Sequence, residues 1–297
     1  MKNNGLAGGL LEFKKNIFSQ NGEDGIIEEL FRRIKIKNRT CCEFGAWDGK
    51  HLSNCRRLIL DGWKALMIEG DRERFNDLEK TYDRNGKVIC VNRFVDVGDN
   101  RLQTICKEYG FEDLDFLSID IDGLDYQILE AMEMAPRVIC VEINAGHDPE
   151  NDMAINIEIA KNNVGQPFGL FKKWAVKNDY RLVCYTGNAF FVRGDIADNC
   201  HNIKILSNSV AYLEYLSYLP IEGKQWMWMV NHGLVGPFFK FRNDFLKRSK
   251  LELSIIECLQ ILQRIRLKLG NVEMFLLTMK SIYMGIKGKR GSLKRIS

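Results

Sequence analysis

The stretch Thr40-Cys-Cys-Glu-Phe-Gly-Ala-Trp-Asp-Gly49 decides the fold. Its first five residues form a short, mostly apolar run, the pattern of a strand buried on both faces of a parallel sheet. An acid, Glu43, stands near its end, and Gly45 and Gly49 follow, with helical residues expected from about Ser53. Glycines there let the backbone turn sharply and approach a ligand closely. In doubly wound sheets, ligands bind outside the carboxyl end of such a strand.

Working outward, the pattern repeats. Ala65–Glu69, Val88–Val91, Phe116–Ile121 and Val138–Ile143 are further short apolar runs, with charged amphipathic stretches such as Arg72–Tyr82 and Asn100–Tyr109 between them. Tyr180–Tyr185 and Ala189–Val192 are separated only by Thr186-Gly187-Asn188. Three residues are too few for a crossover, so that pair is an antiparallel hairpin. The fold class is therefore α/β: a Rossmann-like, doubly wound sheet of seven mostly parallel strands, closed by a C-terminal antiparallel hairpin. Upstream, Ile26, Ile27, Leu30, Phe31 and Ile34 mark a helix over Asp24–Lys35. Three parts are expected: an N-terminal segment and leading helix (1–35), the sheet domain (36–197) and a helical, basic C-terminal extension (198–297).

The charge distribution supports that division. The 297 residues carry 43 Lys plus Arg and 39 Asp plus Glu, a net +4. The segment Phe245–Ser297 alone holds a surplus of nine positive charges, which leaves the first 244 residues at −5. Nine cysteines without a CxxC pair argue against a zinc ribbon or a thioredoxin-like site. Their odd number, with no secretory leader, points to a reducing, cytoplasmic setting. The longest uncharged run, Gln225–Phe239, is broken by Asn231, His232, two glycines and Pro237, so no bilayer span is expected.

The end of the second apolar run, Ile68-Glu69-Gly70-Asp71, puts a carboxylate twenty-six residues after Glu43. A carboxylate at that position suits the two hydroxyls of a ribose, as in dinucleotide sites. The loop spacing is not G-x-G-x-x-G, and Glu43 suits a cationic amine or sulfonium better than a pyrophosphate.

Together, Glu43-Phe-Gly-Ala-Trp-Asp-Gly49, Ile68-Glu-Gly-Asp71, Leu117-Ser-Ile-Asp-Ile-Asp-Gly123 and the late hairpin resemble the class I S-adenosylmethionine-dependent methyltransferases, nearest to the FkbM-type sugar and small-molecule O-methyltransferases. The resemblance covers roughly 19–193. It implies that Glu43, Gly45, Ala46 and Gly49 hold the methionine part of the cofactor and Glu69 the ribose, with Asp96 near the adenine. Asp48, Gly70 and Asp120 are further cofactor-binding candidates. Family members usually carry Asp at Glu43 and Asn at Trp47, which leaves the role of Trp47 open. Ser19-Gln-Asn-Gly-Glu-Asp24 reads either as a set of helix caps or as a lid that brings Gln20 and Asp24 over the cofactor.

At the reacting end, two functional readings stand beside a plain structural one. His147, with Asp122, supplies a general base for a hydroxyl acceptor. Alternatively Asp120, Glu142 and Asn144 hold a divalent cation (Mg or Mn) that acidifies that hydroxyl. In the structural reading Asp125 caps its helix and His147 is an exposed loop residue. The [DNS]-P-P-[YFW] motif of base-amino methylation is absent, so no nucleic-acid partner is expected, and a glycan or small-molecule acceptor is favoured. The helices of the extension could pack on the sheet domain, form a homo-oligomer contact or lie on the inner face of a membrane with the basic end in the head groups, beside the plain reading of a solvated charged tail. Rival readings are a nucleoside-cofactor oxidoreductase and a degenerate cofactor-binding scaffold.

Overall fold

The alternation expected from the sequence builds a three-layer unit. In chain order it comprises α1 (Glu23–Ile34), β1 (Thr40–Phe44), α2 (Arg56–Leu60), β2 (Lys64–Ile68), α3 (Arg72–Tyr82), β3 (Val88–Val91), α4 (Leu102–Glu108) and β4 (Phe116–Ile119). There follow α5 (Asp125–Glu130), β5 (Val138–Glu142), α6 (Phe168–Lys177), β6 (Tyr180–Tyr185), β7 (Asn188–Arg193), α7 (Gly194–Ala197) and α8 (Asn208–Tyr218). The computed structural model describes residues 9–121, 123–144, 151–156 and 165–218. All of them fall within the unit Met1–Tyr218. Residues 219–297 of the expected extension, the basic end included, lie outside the described residues.

The seven strands form one sheet in the order β3-β2-β1-β4-β5-β7-β6. β1 to β5 pair in parallel, while β7 is antiparallel to both β5 and β6. The apolar runs predict this burial: Cys41, Cys42, Phe44, Leu66, Met67, Phe116, Leu117, Ile139 and Cys140 are all at most 1% exposed. A side chain in a two-faced strand has helices on both sides, so alternation with polar residues is lost. Helix α1 buries Ile26, Ile27, Leu30, Phe31 and Ile34, the face its periodicity marks. The eight described cysteines are free, and four of the five on the strands are buried as small apolar side chains.

Register fixes the site. Phe44 pairs with Ile68 on one side and with Ile119 on the other, and Ile119 pairs with Val141. The next residues, Gly45, Glu69, Asp120 and Glu142, therefore emerge side by side at the carboxyl edge of β2-β1-β4-β5. At about 4.8 Å per strand, that row spans roughly 14 Å. The chain order reverses between β1 and β4, the topological switch where such sheets open a crevice. The opposite edge is sealed by Asp115, whose carboxylate accepts the amides of Lys37, Asn38 and Arg39 and pairs with Arg137 at 2.6 Å.

The sequence reading put the end of the fourth strand at Ile121, whereas β4 stops at Ile119. The buried carboxylate of Asp125 pulls the chain out of the ladder, accepting the amides of Ile121 and Gly123 at 2.9 Å each. Helices α7 and α8 belong to the sheet unit: Tyr212 and Tyr215 of α8 pack their rings on Tyr185 of β6.

Candidate active site

A cavity of about 680 Å³ opens over the carboxyl ends of β3, β2, β1, β4 and β5. Of the residues singled out from sequence, Gln20, Glu43, Gly45, Ala46, Glu69, Gly70, Asp120 and Glu142 line it.

Glu69 is 5% exposed, and its carboxylate is aimed by two backbone amides, Trp47 N–H on Oε2 and Asp71 N–H on Oε1, both at 2.8 Å. An ionised carboxylate offers about four acceptor directions, so two remain for a diol. Gly45 has φ +74, and a Cβ there would overlap the carbonyl oxygen of Asp120. The turn and the β4 end thus touch backbone to backbone, leaving a smooth floor. A Cβ on Gly70 would run into the ring of Phe94, a cavity-lining side chain that is 70% exposed.

Glu43 is 4% exposed and engaged by three donors: Ser53 Oγ at 2.6 Å, Asn54 N–H at 2.8 Å and Cys55 N–H at 3.2 Å. Burial pushes its pKa from 4.5 up to about 7; those donors pull the other way, and the Asp24 charge adds to the rise. The native state therefore holds one more proton than the unfolded chain between about 4.5 and 7. Stability should fall as pH rises through that window, by on the order of 1–3 kcal/mol. Urea unfolding from pH 5 to 8 should show this decline in the wild type and its loss in Glu43→Gln; parallel curves would contradict the assignment.

Other expected positions turn elsewhere. Asp48 does not line the cavity: Oδ1 accepts the amides of Lys50 and His51, and Oδ2 meets His51 Nδ1 at 2.6 Å. Gly49 serves packing, since its φ is +69, a Cβ would meet Tyr82 at 2.5 Å, and its carbonyl accepts the Tyr82 hydroxyl. Asp96 is likewise absent from the cavity wall; its Oδ1 folds its own loop by accepting the amides of Gly98 and Asn100. For the cation set, Asp120 and Glu142 share the cavity, but Asn144 is not among its lining residues and gives its amide to the Gln166 carbonyl at 3.2 Å. Among the described residues no group of three or more His, Cys, Asp or Glu stands together to hold a metal ion. Asp122 and His147 lie outside the described residues.

The segment before α1 is a clasp rather than a simple cap. Oδ2 of Asp24 accepts the amides of Ile17, Phe18 and Ser19, each at 2.9 Å, and the Ser19 hydroxyl. The N-cap position itself belongs to Gly22, which makes no side-chain cap. Gln20 thereby reaches the cavity, whereas Asp24 is not among its lining residues. Fully buried Glu23 completes the clasp, accepting from Asn21 N–H, the Thr186 hydroxyl and Asn188 Nδ2.

Sequence reasoning missed His51, Arg74 and Phe94, and left Trp47 unassigned; all four line the cavity. Trp47 has φ +47 and is 42% exposed, with the Arg74 guanidinium 5.4 Å over its ring. The signals were faint: an aromatic just after a ligand turn, a basic residue three after the helix cap Asp71, and an exposed Phe after β3.

These residues fit a nucleoside with a cationic amino-acid end: a buried diol acceptor at Glu69, an aromatic face at Phe94, a glycine floor at Gly45 and acids along the rest. Comparison with known proteins agrees at the family level. Residues 55–174 match the methyltransferase FkbM domain family. No curated protein matches the chain in sequence. Solved structures with similarity include a caffeoyl-CoA O-methyltransferase candidate from Staphylococcus aureus, at 16% identity over 60% of this chain and 85% of that one, TM-score 0.42. A SAM-dependent methyltransferase from Aquifex aeolicus shares 14% identity over 56% and 86%, TM-score 0.34. The N-terminal domain of EvdMO1 with SAH bound shares 12% over 59% and 80%, TM-score 0.37. With its motifs at the strand ends, the chain matches the methyltransferase FkbM domain family over residues 55–174, on a Rossmann-like sheet.

Proposed function

We propose that this domain methylates an oxygen of a sugar, glycan precursor or other small hydroxyl compound. The observation that carries the reading is the composition of the cavity over β4 and β5, where Asp120 and Glu142 follow adjacent strand ends and Gln20 lines the same cavity. Glu69 and Phe94 occupy the β2–β3 end and suit the nucleoside. The β1 turn suits the amino-acid portion, so the acceptor belongs over β4 and β5. Two carboxylates and an amide there are hydrogen-bond acceptors for vicinal hydroxyls, and they disfavour an anionic group.

When bound, S-adenosylmethionine supplies a sulfonium methyl group that needs no further activation. The work left to the chain is orientation, exclusion of water and removal of the hydroxyl proton. Glu69 orients the ribose, Gly45 and Ala46 form the floor under the amino-acid end, and Gln20 closes the cavity from the clasp side. Proton removal is assigned to His147 or Asp122, which follow β5 and β4 in the sequence and lie outside the described residues. The test is a screen of neutral glycosides and polyols, with phosphorylated and amino sugars as controls, followed by formation of S-adenosylhomocysteine. Turnover with hydroxyl acceptors is expected, with the methyl group on oxygen. Turnover confined to amines or to nucleic acid would reject the proposal.

A further inference from the structure

The acids that suit a sulfonium create a difficulty for another part of the same ligand. Glu69, Asp71, Asp120 and Glu142 line the cavity beside Glu43, whose buried carboxyl is held closer to neutrality, yet the amino-acid end of S-adenosylmethionine also carries a carboxylate. Among so many negative groups that carboxylate needs a cation. Three cationic or ionisable basic residues line the described wall: His51, Arg74 and Arg93.

Two of the three are already engaged. Arg93 forks onto Glu108 through NH1 and NH2 at 2.5 and 2.9 Å, and the His51 ring meets Asp48 at 2.6 Å. Arg74 has no carboxylate in ion-pair range among the described residues; its guanidinium rests on the Trp47 ring at 5.4 Å. Its backbone is fixed by the Asp71 cap, which accepts the Arg74 amide at 2.9 Å. Trp47 follows Gly45-Ala46 directly and holds a left-handed backbone, φ +47, that costs a bulky residue strain. Such strain concentrates at ligand sites, where it is part of the design. Here it projects an aromatic platform from the β1 turn and carries the guanidinium of α3 towards that turn.

We infer that Arg74, steadied on Trp47, binds the carboxylate of the cofactor's amino-acid end. The inference rests on the cofactor reading of this cavity. A planar guanidinium meets a carboxylate through two parallel hydrogen bonds, which a lysine ammonium does not reproduce. Trp47 would restrict the guanidinium before the ligand arrives, reducing the entropy lost on binding. This also gives Trp47, where family members usually carry Asn, a specific task.

The experiment uses the full chain and two probes in calorimetry. S-adenosylhomocysteine has the amino-acid end; 5′-deoxy-5′-methylthioadenosine has the same thioether nucleoside without it. Arg74→Gln is expected to weaken S-adenosylhomocysteine about 10-fold or more, while affinity for methylthioadenosine stays within about 2-fold. Arg74→Lys should recover part of the loss, and Trp47→Asn should weaken only the first probe. Equal loss for both probes would overturn the inference, because Arg74 would then touch the nucleoside. Unchanged affinity for both would overturn it too, leaving the guanidinium for an anionic acceptor. If the wild type binds neither probe, the cofactor reading itself fails, an outcome distinct from the other two.

Discussion

Gly45→Ala is expected to lower the thermal midpoint by about 5–15 °C and to abolish measurable binding of S-adenosylhomocysteine. Two penalties combine at that position. A φ of +74 is a left-handed conformation that a side chain adopts at a cost of roughly 1–2 kcal/mol. The new Cβ would also overlap the backbone oxygen of Asp120. That oxygen sits at the end of β4 in a register fixed by Phe44 and Ile119, so relief requires β1 and β4 to part or the turn to rise into the cavity. Gly110→Ala is the control. Its φ is +77 and nothing lies within 4 Å of the added Cβ, so only the conformational cost of about 1 kcal/mol should appear, with binding intact. Circular-dichroism melts and calorimetry on the two variants check both expectations; equal melting shifts would show that the contact with Asp120 does not matter.

Glu69→Ala is expected to weaken S-adenosylhomocysteine by about 10–100-fold, equivalent to roughly 1.4–2.8 kcal/mol. The loss has two sources. A charged acceptor for the ribose hydroxyls disappears, each such bond being worth about 1.5–3 kcal/mol. In addition, the amides of Trp47 and Asp71 lose the carboxylate that gathers the β1 and β2 turns. Glu69→Gln separates these contributions, because an amide oxygen still accepts one bond while its NH2 group faces donors. A smaller loss for Gln than for Ala is expected. A variant lacking the ribose hydroxyl contact should no longer distinguish the cofactor from its 2′-deoxy analogue, which calorimetry reads directly.

Much of the fold was legible because it rests on local patterns. The apolar runs at 40–44, 88–91 and 180–185 coincide with β1, β3 and β6; β1 is covered on both faces and leaves no room for polar alternation, whereas the edge strand β3 is only partly covered. The three-residue gap at Thr186–Asn188 forced the hairpin. Strand ends were less legible: Phe116–Ile121 looked continuous, but the carboxylate of Asp125, a few residues on, takes the amides of Ile121 and Gly123 and ends the ladder early.

The site divided along a similar line. Glu43, Glu69, Asp120 and Glu142 stand at or just after strand ends, where the sheet itself decides what they face. Asp48 and Asp96 stand inside loops, and a short carboxylate there is captured by amides two to four residues ahead. Composition and spacing carry no sign of that capture. Arg74 was hidden for the opposite reason. On a helix whose burial pattern selects only Phe75, Leu78 and Tyr82, it resembles any solvated cation until β1 delivers Trp47 beneath it. Five acids line the cavity at one edge of the sheet, and Arg74 is the lining cation without a carboxylate partner among the described residues.

The most direct measurement of the central claim is a crystal structure of the full chain with S-adenosylhomocysteine. The predicted result is ligand density over the ends of β2, β1 and β4, with both ribose hydroxyls within hydrogen-bond distance of Glu69 and the amino-acid end over Gly45 and Ala46. Density elsewhere, or a ribose out of reach of Glu69, would contradict it.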